Sequence, residues 1–96
     1  MPKAYWIAHV TVSDDAAYGR YAALASKAIA EHGGEFLARG GRAIQKEGRA
    51  HPRNVVALFP SLDAANACYD SATYQEALRH AEGAAERDLV LVEALD

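Results

Sequence analysis

Residues 89–92 read Leu-Val-Leu-Val, so a strand there shows leucines on one face and valines on the other, because successive side chains of a strand alternate. Asn54 to Phe59 behaves alike. Val55, Ala57 and Phe59 fall on one side, Val56 and Leu58 on the other. A sheet built from such strands has two faces to cover. Leaving the second face wet forgoes roughly 1.5–3 kcal/mol for each large apolar side chain.

The rest of the chain supplies the other elements. Ala4 to Val12 reads as a first strand, rich in β-branched and aromatic residues. Trp6, Ala8, Val10 and Val12 make one apolar side; Tyr5, Ile7, His9 and Thr11 make a mixed one. Ser13 or Asp14 opens a helix by accepting from a free N–H of its first turn. Tyr21, Leu24, Ala25, Ala28 and Ile29 share one helical face, and Gly33-Gly34 stops it. Glu35 to Ala38 and Arg42 to Lys46 read as a second strand with a bulge at Gly40-Gly41. Gly48 to Arg53 is the turn, so strands two and three form a hairpin. Pro60-Ser61 starts a second helix that buries Leu62, Ala65, Cys68 and Tyr69. A shorter helical piece runs from Tyr74 to Ala81, then a loop from Glu82 to Arg87, then the last strand.

This order, βαββαβ, predicts an α+β, ferredoxin-like domain over residues 1–96. Right-handed crossovers place both helices on one face of an antiparallel four-stranded sheet. The other face should then be polar on alternate residues. It is not, and a second copy of the sheet is the simplest cover, since closed two-fold dimers are the commonest oligomers. The expected assembly is a homodimer.

Composition narrows the partners. A net charge of −3 disfavours nucleic acid and an anionic membrane surface. No apolar run approaches the roughly 20 residues of a membrane span, and the N-terminal run lacks the pattern of a signal peptide. A cytoplasmic protein is expected. The single cysteine, Cys68, excludes an intrachain disulfide and reads as core. His9, His32, His51 and His80 are scattered, so no metal site is expected. No phosphate loop, dinucleotide fingerprint or nucleophile elbow is present, and no cofactor is expected. A haem ligand, were one needed, would fall to His9. The third strand has Phe59 alone where RNA-recognition motifs pair stacking aromatics.

Several runs together resemble a known family. They are Tyr5-Trp6-Ile7, the helix start from Asp14 to Tyr18, Gly33-Gly34-Glu35-Phe36-Leu37-Ala38-Arg39-Gly40-Gly41, and Val55-Val56-Ala57-Leu58-Phe59-Pro60-Ser61. Tyr21, Ala64-Ala65, Tyr69 and Ser71 to Tyr74 add to them. The chain resembles the domain of unknown function 1330 family over nearly its whole length. That family is similar to the dimeric α/β-barrel superfamily, in which two ferredoxin-like sheets close face to face. Its relatives include cofactor-free monooxygenases, isomerases, haem enzymes and binding proteins, so the resemblance implies fold and dimer more firmly than chemistry. Family members commonly carry a carboxylate where this chain has Leu58, and an arginine where it has His9.

Among candidate site residues His9 comes first, mid-strand on the mixed face, where it could act as a base near neutral pH. Arg39 precedes the glycine pair, and a bulge there would aim it as a clamp for a carboxylate, enolate or phosphate oxygen. Tyr5 and Thr11 share the face of His9 and would line a substrate pocket. Arg42 and Arg53 read as solvated hairpin arginines, and the other aromatics as core or interface. Two readings follow. One is a cofactor-independent enzyme or binder of a small organic acid, phenol or enolisable carbonyl. The other is a non-catalytic dimeric module whose polar residues fix its geometry.

Overall fold

The computed structural model describes residues 2–95. Strand β1 spans Ala4–Val12, helix α1 Asp15–Glu31, β2 Glu35–Arg39, β3 Arg53–Phe59, α2 Leu62–Asp70, α3 Ala72–Ala81 and β4 Ala85–Glu93. The strands form one antiparallel sheet in the order β2-β3-β1-β4, with the helices on one face. This is the expected ferredoxin-like arrangement, with its second helix broken in two.

Local chemistry sets the boundaries. Of the two candidate caps for α1 it is Asp14 whose side chain accepts from the Ala17 N–H, at 3.1 Å. The helix ends through Gly33 at φ 79, a conformation that costs a glycine little. Ser71 divides α2 from α3 and serves both. Its hydroxyl donates to the Cys68 carbonyl at 2.7 Å and accepts from the Tyr74 N–H at 3.2 Å.

The helix-facing side of the sheet carries Trp6, Ala8 and Val10 from β1 with Val55, Ala57 and Phe59 from β3, all buried. Trp6 meets Tyr74 edge to face at 5.0 Å between ring centroids and lies 5.6 Å from Phe59. Such aromatic pairs add about 0.5–1.5 kcal/mol beyond their area burial. Cys68 is buried here too, as expected of a core thiol, and burial pushes its pKa up to about 11.

Two segments depart from expectation. The second strand stops at Arg39, and Arg42 to Lys46 is exposed irregular chain. Its sequence, Arg-Ala-Ile-Gln-Lys, has a single large apolar residue and no apolar alternation to bury, and the Gly40 N–H already bonds the Asn54 carbonyl at 2.9 Å. The last strand begins at Ala85, inside the expected loop. Ala85 to Asp88 pair with Val12 to His9, so the partner strand extends β4 through polar residues.

The far face shows the predicted second apolar surface. Tyr5, Ile7 and His9 sit between Leu58, Val56 and Asn54 on one side and Val92, Val90 and Asp88 on the other. Val90 is 54% and Val92 44% exposed. Among the described residues no helix is long and apolar enough to cross a membrane.

Candidate functional site

Three arginines converge on the helix side of the sheet. Arg53 and Arg87 are both register partners of Val10, one from each neighbouring strand, and so share its face. Arg39 joins them through a bulge. The β2–β3 register shifts between Phe36 and Ala38, so Leu37 is the extra residue and Arg39 comes opposite Val55. Without that extra residue strict alternation would turn Arg39 to the far face.

Between these arginines, the sheet and α1 lies a cavity that is partly open at its mouth. Its enclosed part is small, suited to a functional group rather than a whole ring. Trp6, Ala8 and Val55 form the floor. Tyr18, Tyr21, Ala22, Ala25, Ser26 and Ile29 of α1 form the roof, with Phe36 and Arg39 at one side. Each guanidinium rests on an aromatic ring: Arg39 4.4 Å from the Phe36 centroid, Arg53 5.8 Å from Tyr18, Arg87 4.7 Å from Tyr21. Stacking of this kind holds the planar fork in place while leaving its N–H groups free.

Among the described residues no carboxylate lines this cavity. Among the described residues the ion pairs are Arg49–Glu86 and His51–Asp88, and neither involves these three arginines. Arg53 Nε and Arg87 Nε are buried without an acceptor. A buried donor left unpaired costs about 1–3 kcal/mol, so the site holds two unsatisfied donors.

Arg87 has partial compensation. Its Nη2 donates to the Tyr21 hydroxyl at 2.7 Å and to the Tyr74 hydroxyl at 3.2 Å, and the two hydroxyls lie 2.7 Å apart. Burial, then the nearby Tyr74, pushes the Tyr21 pKa well above its ordinary value, with Arg87 opposing. Burial likewise raises that of Tyr74. Burial alone would lower the pKa of Arg87, but the tyrosine oxygens more than offset it, and it stays charged. The cluster is therefore one cation and two neutral phenols.

The other expected residues sit across the sheet. His9, Tyr5 and Thr11 are on the far face, so one chain does not bring them to a common ligand with Arg39. The bulge is the reason. His9 is exposed and its Nδ1 donates to Asn54 Oδ1 at 2.6 Å. Thr11 Oγ1 lies 2.8 Å from His51 Nδ1, whose Nε2 faces Asp88 Oδ2 at 3.4 Å. Asn54 Nδ2 donates to the His51 carbonyl at 3.2 Å. These contacts pin the loop before β3 onto the sheet. Leu58 also lies on the far face, opposite Tyr5 and Glu35.

Arg53 departs from its solvated reading, and Arg87 lay unremarked in an expected loop. A signal for both existed. The buried alternation Phe59, Ala57, Val55 continues backward to position 53, and Leu91, Leu89 continues to position 87.

The model of the family described as Domain of unknown function (DUF1330) matches residues 3–95. The chain belongs to the DUF1330 family. No curated protein matches this DUF1330 chain. Solved structures do. The RPA0582 protein of unknown function from Rhodopseudomonas palustris aligns with a TM-score of 0.79 at 18% identity, covering 99% of this chain and 84% of that one. SnoaB, a cofactor-independent oxygenase from Streptomyces nogalater, aligns at 0.70 and 12% identity, covering 100% and 96%. A dimeric protein of unknown function and ferredoxin-like fold from Bacteroides fragilis aligns at 0.64 and 14%, covering 96% of each chain. At these identities the likeness is one of fold.

Proposed function

We propose that this DUF1330 protein binds a small organic anion with an apolar body in the cavity between α1 and the sheet. The observation that carries this reading is the convergence of Arg39, Arg53 and Arg87 on one apolar cavity with no carboxylate in its lining. In a protein of net charge −3, three guanidinium groups gathered on one side of a sheet, with no ion-pair partner among the described residues, favour an anionic ligand. Arginine takes a carboxylate in bidentate fashion, and such charge-assisted bonds are about twice as strong as neutral ones. The carboxylate would enter the enclosed part, and the apolar body would rest in the open mouth against the half-buried Ala22 and Phe36, beside Arg39.

The same donors would stabilise an enolate or phenolate, the charge that develops when an enolisable carbonyl or a phenol loses a proton. Among the described residues the lining contains no histidine, aspartate or glutamate. The pocket is thus better furnished to receive an anion formed in water than to form one. A cofactor-independent reaction such as that of SnoaB is compatible with this donor set, and so is plain binding.

A second copy would cover the far face, where Ile7, Val56, Leu58, Val90 and Val92 form the apolar surface. The dimeric ferredoxin-like neighbour supports this assembly. In it His9, Tyr5 and Thr11 serve to fix dimer geometry.

Calorimetric titration with 3-phenylpropionate tests the binding reading. Saturable binding that is lost in the Arg53→Met, Arg87→Met double variant, with no binding of the uncharged 3-phenylpropionamide, supports it. Equal affinity for acid and amide, or unchanged affinity in the variant, overturns it.

A further inference from the structure

The hydrogen atoms of the Arg87–Tyr21–Tyr74 cluster do not cancel. Two hydroxyls bring two protons and four acceptor lone pairs. Arg87 Nη2 uses its two hydrogens on the two oxygens. One phenol then donates to the other across 2.7 Å. One O–H proton is left with no acceptor inside the cluster.

The surroundings decide which phenol holds it. Tyr74 is fully buried, at 0% exposure, and takes no part in the cavity wall. Among the described residues its side-chain hydroxyl bonds Tyr21 and Arg87 alone. If Tyr21 donated to Tyr74, the spare proton would sit on Tyr74 with no acceptor among the described residues and no exposure to bulk solvent, the arrangement native cores avoid. In the other orientation Tyr74 donates to Tyr21, and Tyr21 accepts from both partners. Its own proton is then free, and Tyr21 forms part of the cavity wall. Its phenol stays protonated because burial, chiefly, holds it neutral.

We infer that Tyr21 is a specificity-determining donor, offering its O–H to a second oxygen of the ligand, and that the preferred ligand is a 2-oxo acid or similar anion carrying an acceptor oxygen beside its carboxylate. This rests on the anion-binding reading above. The carboxylate takes the guanidinium groups, and the neighbouring carbonyl or enolate oxygen takes the Tyr21 proton. A site built to donate a hydrogen bond discriminates against an analogue lacking the acceptor, because the donor is then left unpaired.

Titrating phenylpyruvate against 3-phenylpropionate tests this, since the two acids share a carbon skeleton and differ in the 2-oxo oxygen. The wild-type protein should prefer phenylpyruvate by about 3- to 10-fold, the worth of one neutral hydrogen bond. Tyr21→Phe also removes an acceptor of Arg87 and so can shift the affinity of both acids, but it should bring their ratio to about one. Tyr74→Phe removes a phenol from the same cluster but keeps the free Tyr21 proton, so it should retain the preference. Equal wild-type binding of both acids overturns the inference and leaves the anion-binding reading standing. So does a Tyr21→Phe variant in which both acids change by the same factor and the preference survives, or a Tyr74→Phe variant that loses the preference. Binding of neither acid overturns both.

Discussion

Arg53 and Arg87 flank Val10 from opposite sides, one on each neighbouring strand, and both turn toward the helices. Two like charges on one face of a sheet repel, and neither has a carboxylate partner. The pair is therefore expected to contribute to ligand binding rather than to stability. Arg53→Met should change unfolding free energy by less than about 1 kcal/mol, since methionine keeps the apolar stem. The same change should weaken a carboxylate ligand by about 10-fold or more, the worth of a hydrogen bond to a charged group. Denaturant melts and calorimetry on one preparation check both.

Gly40 holds Arg53 in place by being small. Its φ is +71, and a Cβ there would lie 2.7 Å from Arg53 Nη1. Gly40→Ala should cost about 1–2 kcal/mol for the left-handed backbone and should weaken anion binding by displacing the guanidinium. Gly41→Ala is the control. A Cβ at that position meets nothing within 4 Å, so melting temperature and affinity should both stay near wild type.

This glycine shows how far the sequence could be read. The pair Gly40-Gly41 correctly signalled irregular backbone beside Arg39, but the register shift lies three residues earlier, at Leu37. One residue of displacement decides the face of Arg39, and nothing in the local composition marks Leu37 as the extra residue. The two-faced strands were legible because Leu89, Val90, Leu91 and Val92 carry the alternation without ambiguity. Arg87 was hidden because polar residues 85–88 become strand only through pairing with β1. The Tyr21–Tyr74 contact joins residues 53 positions apart, and no spacing rule reaches that far.

Ser71 supports the Tyr74 side of the cluster. Its hydroxyl bonds both the end of α2 and the start of α3. Ser71→Ala should destabilise the fold by about 1 kcal/mol, the usual loss for a helix cap. Ligand affinity should fall little if Tyr74 acts behind Tyr21, as thermal melts with and without ligand will show.

Stability should fall in alkali. Burial, with a smaller push from Glu31, raises the Cys68 pKa from 9.0 to about 11, so the folded state favours the neutral thiol. That contribution is complete below about pH 9 and is lost as pH rises through about 11. Tyr21 and Tyr74 shift in the same direction from an ordinary value of 10.0 and continue the loss above it. Cys68→Ala should delay the onset of the fall by about one pH unit. Urea melts across this range measure it.

The far face should be separable from the cavity. Val90→Asp places a charge at the centre of the exposed apolar surface, and should convert the dimer to a folded monomer in sedimentation experiments. The cavity residues all lie on the opposite face within one chain. The monomeric variant should therefore bind its anion with wild-type affinity, whereas a wild-type protein that is already monomeric would remove the second-copy proposal.

Arg53 Nε and Arg87 Nε are buried and lack an acceptor, so a bound anion should fill both valences. Side-chain Nε–H resonances followed by NMR during titration with phenylpyruvate read this directly. The Arg53 and Arg87 signals should shift together and saturate at one ligand concentration, while those of the exposed Arg42 and Arg79 stay still. Unmoved Arg53 and Arg87 signals at saturating ligand, or equal drift in all four, would contradict an anion site between α1 and the sheet.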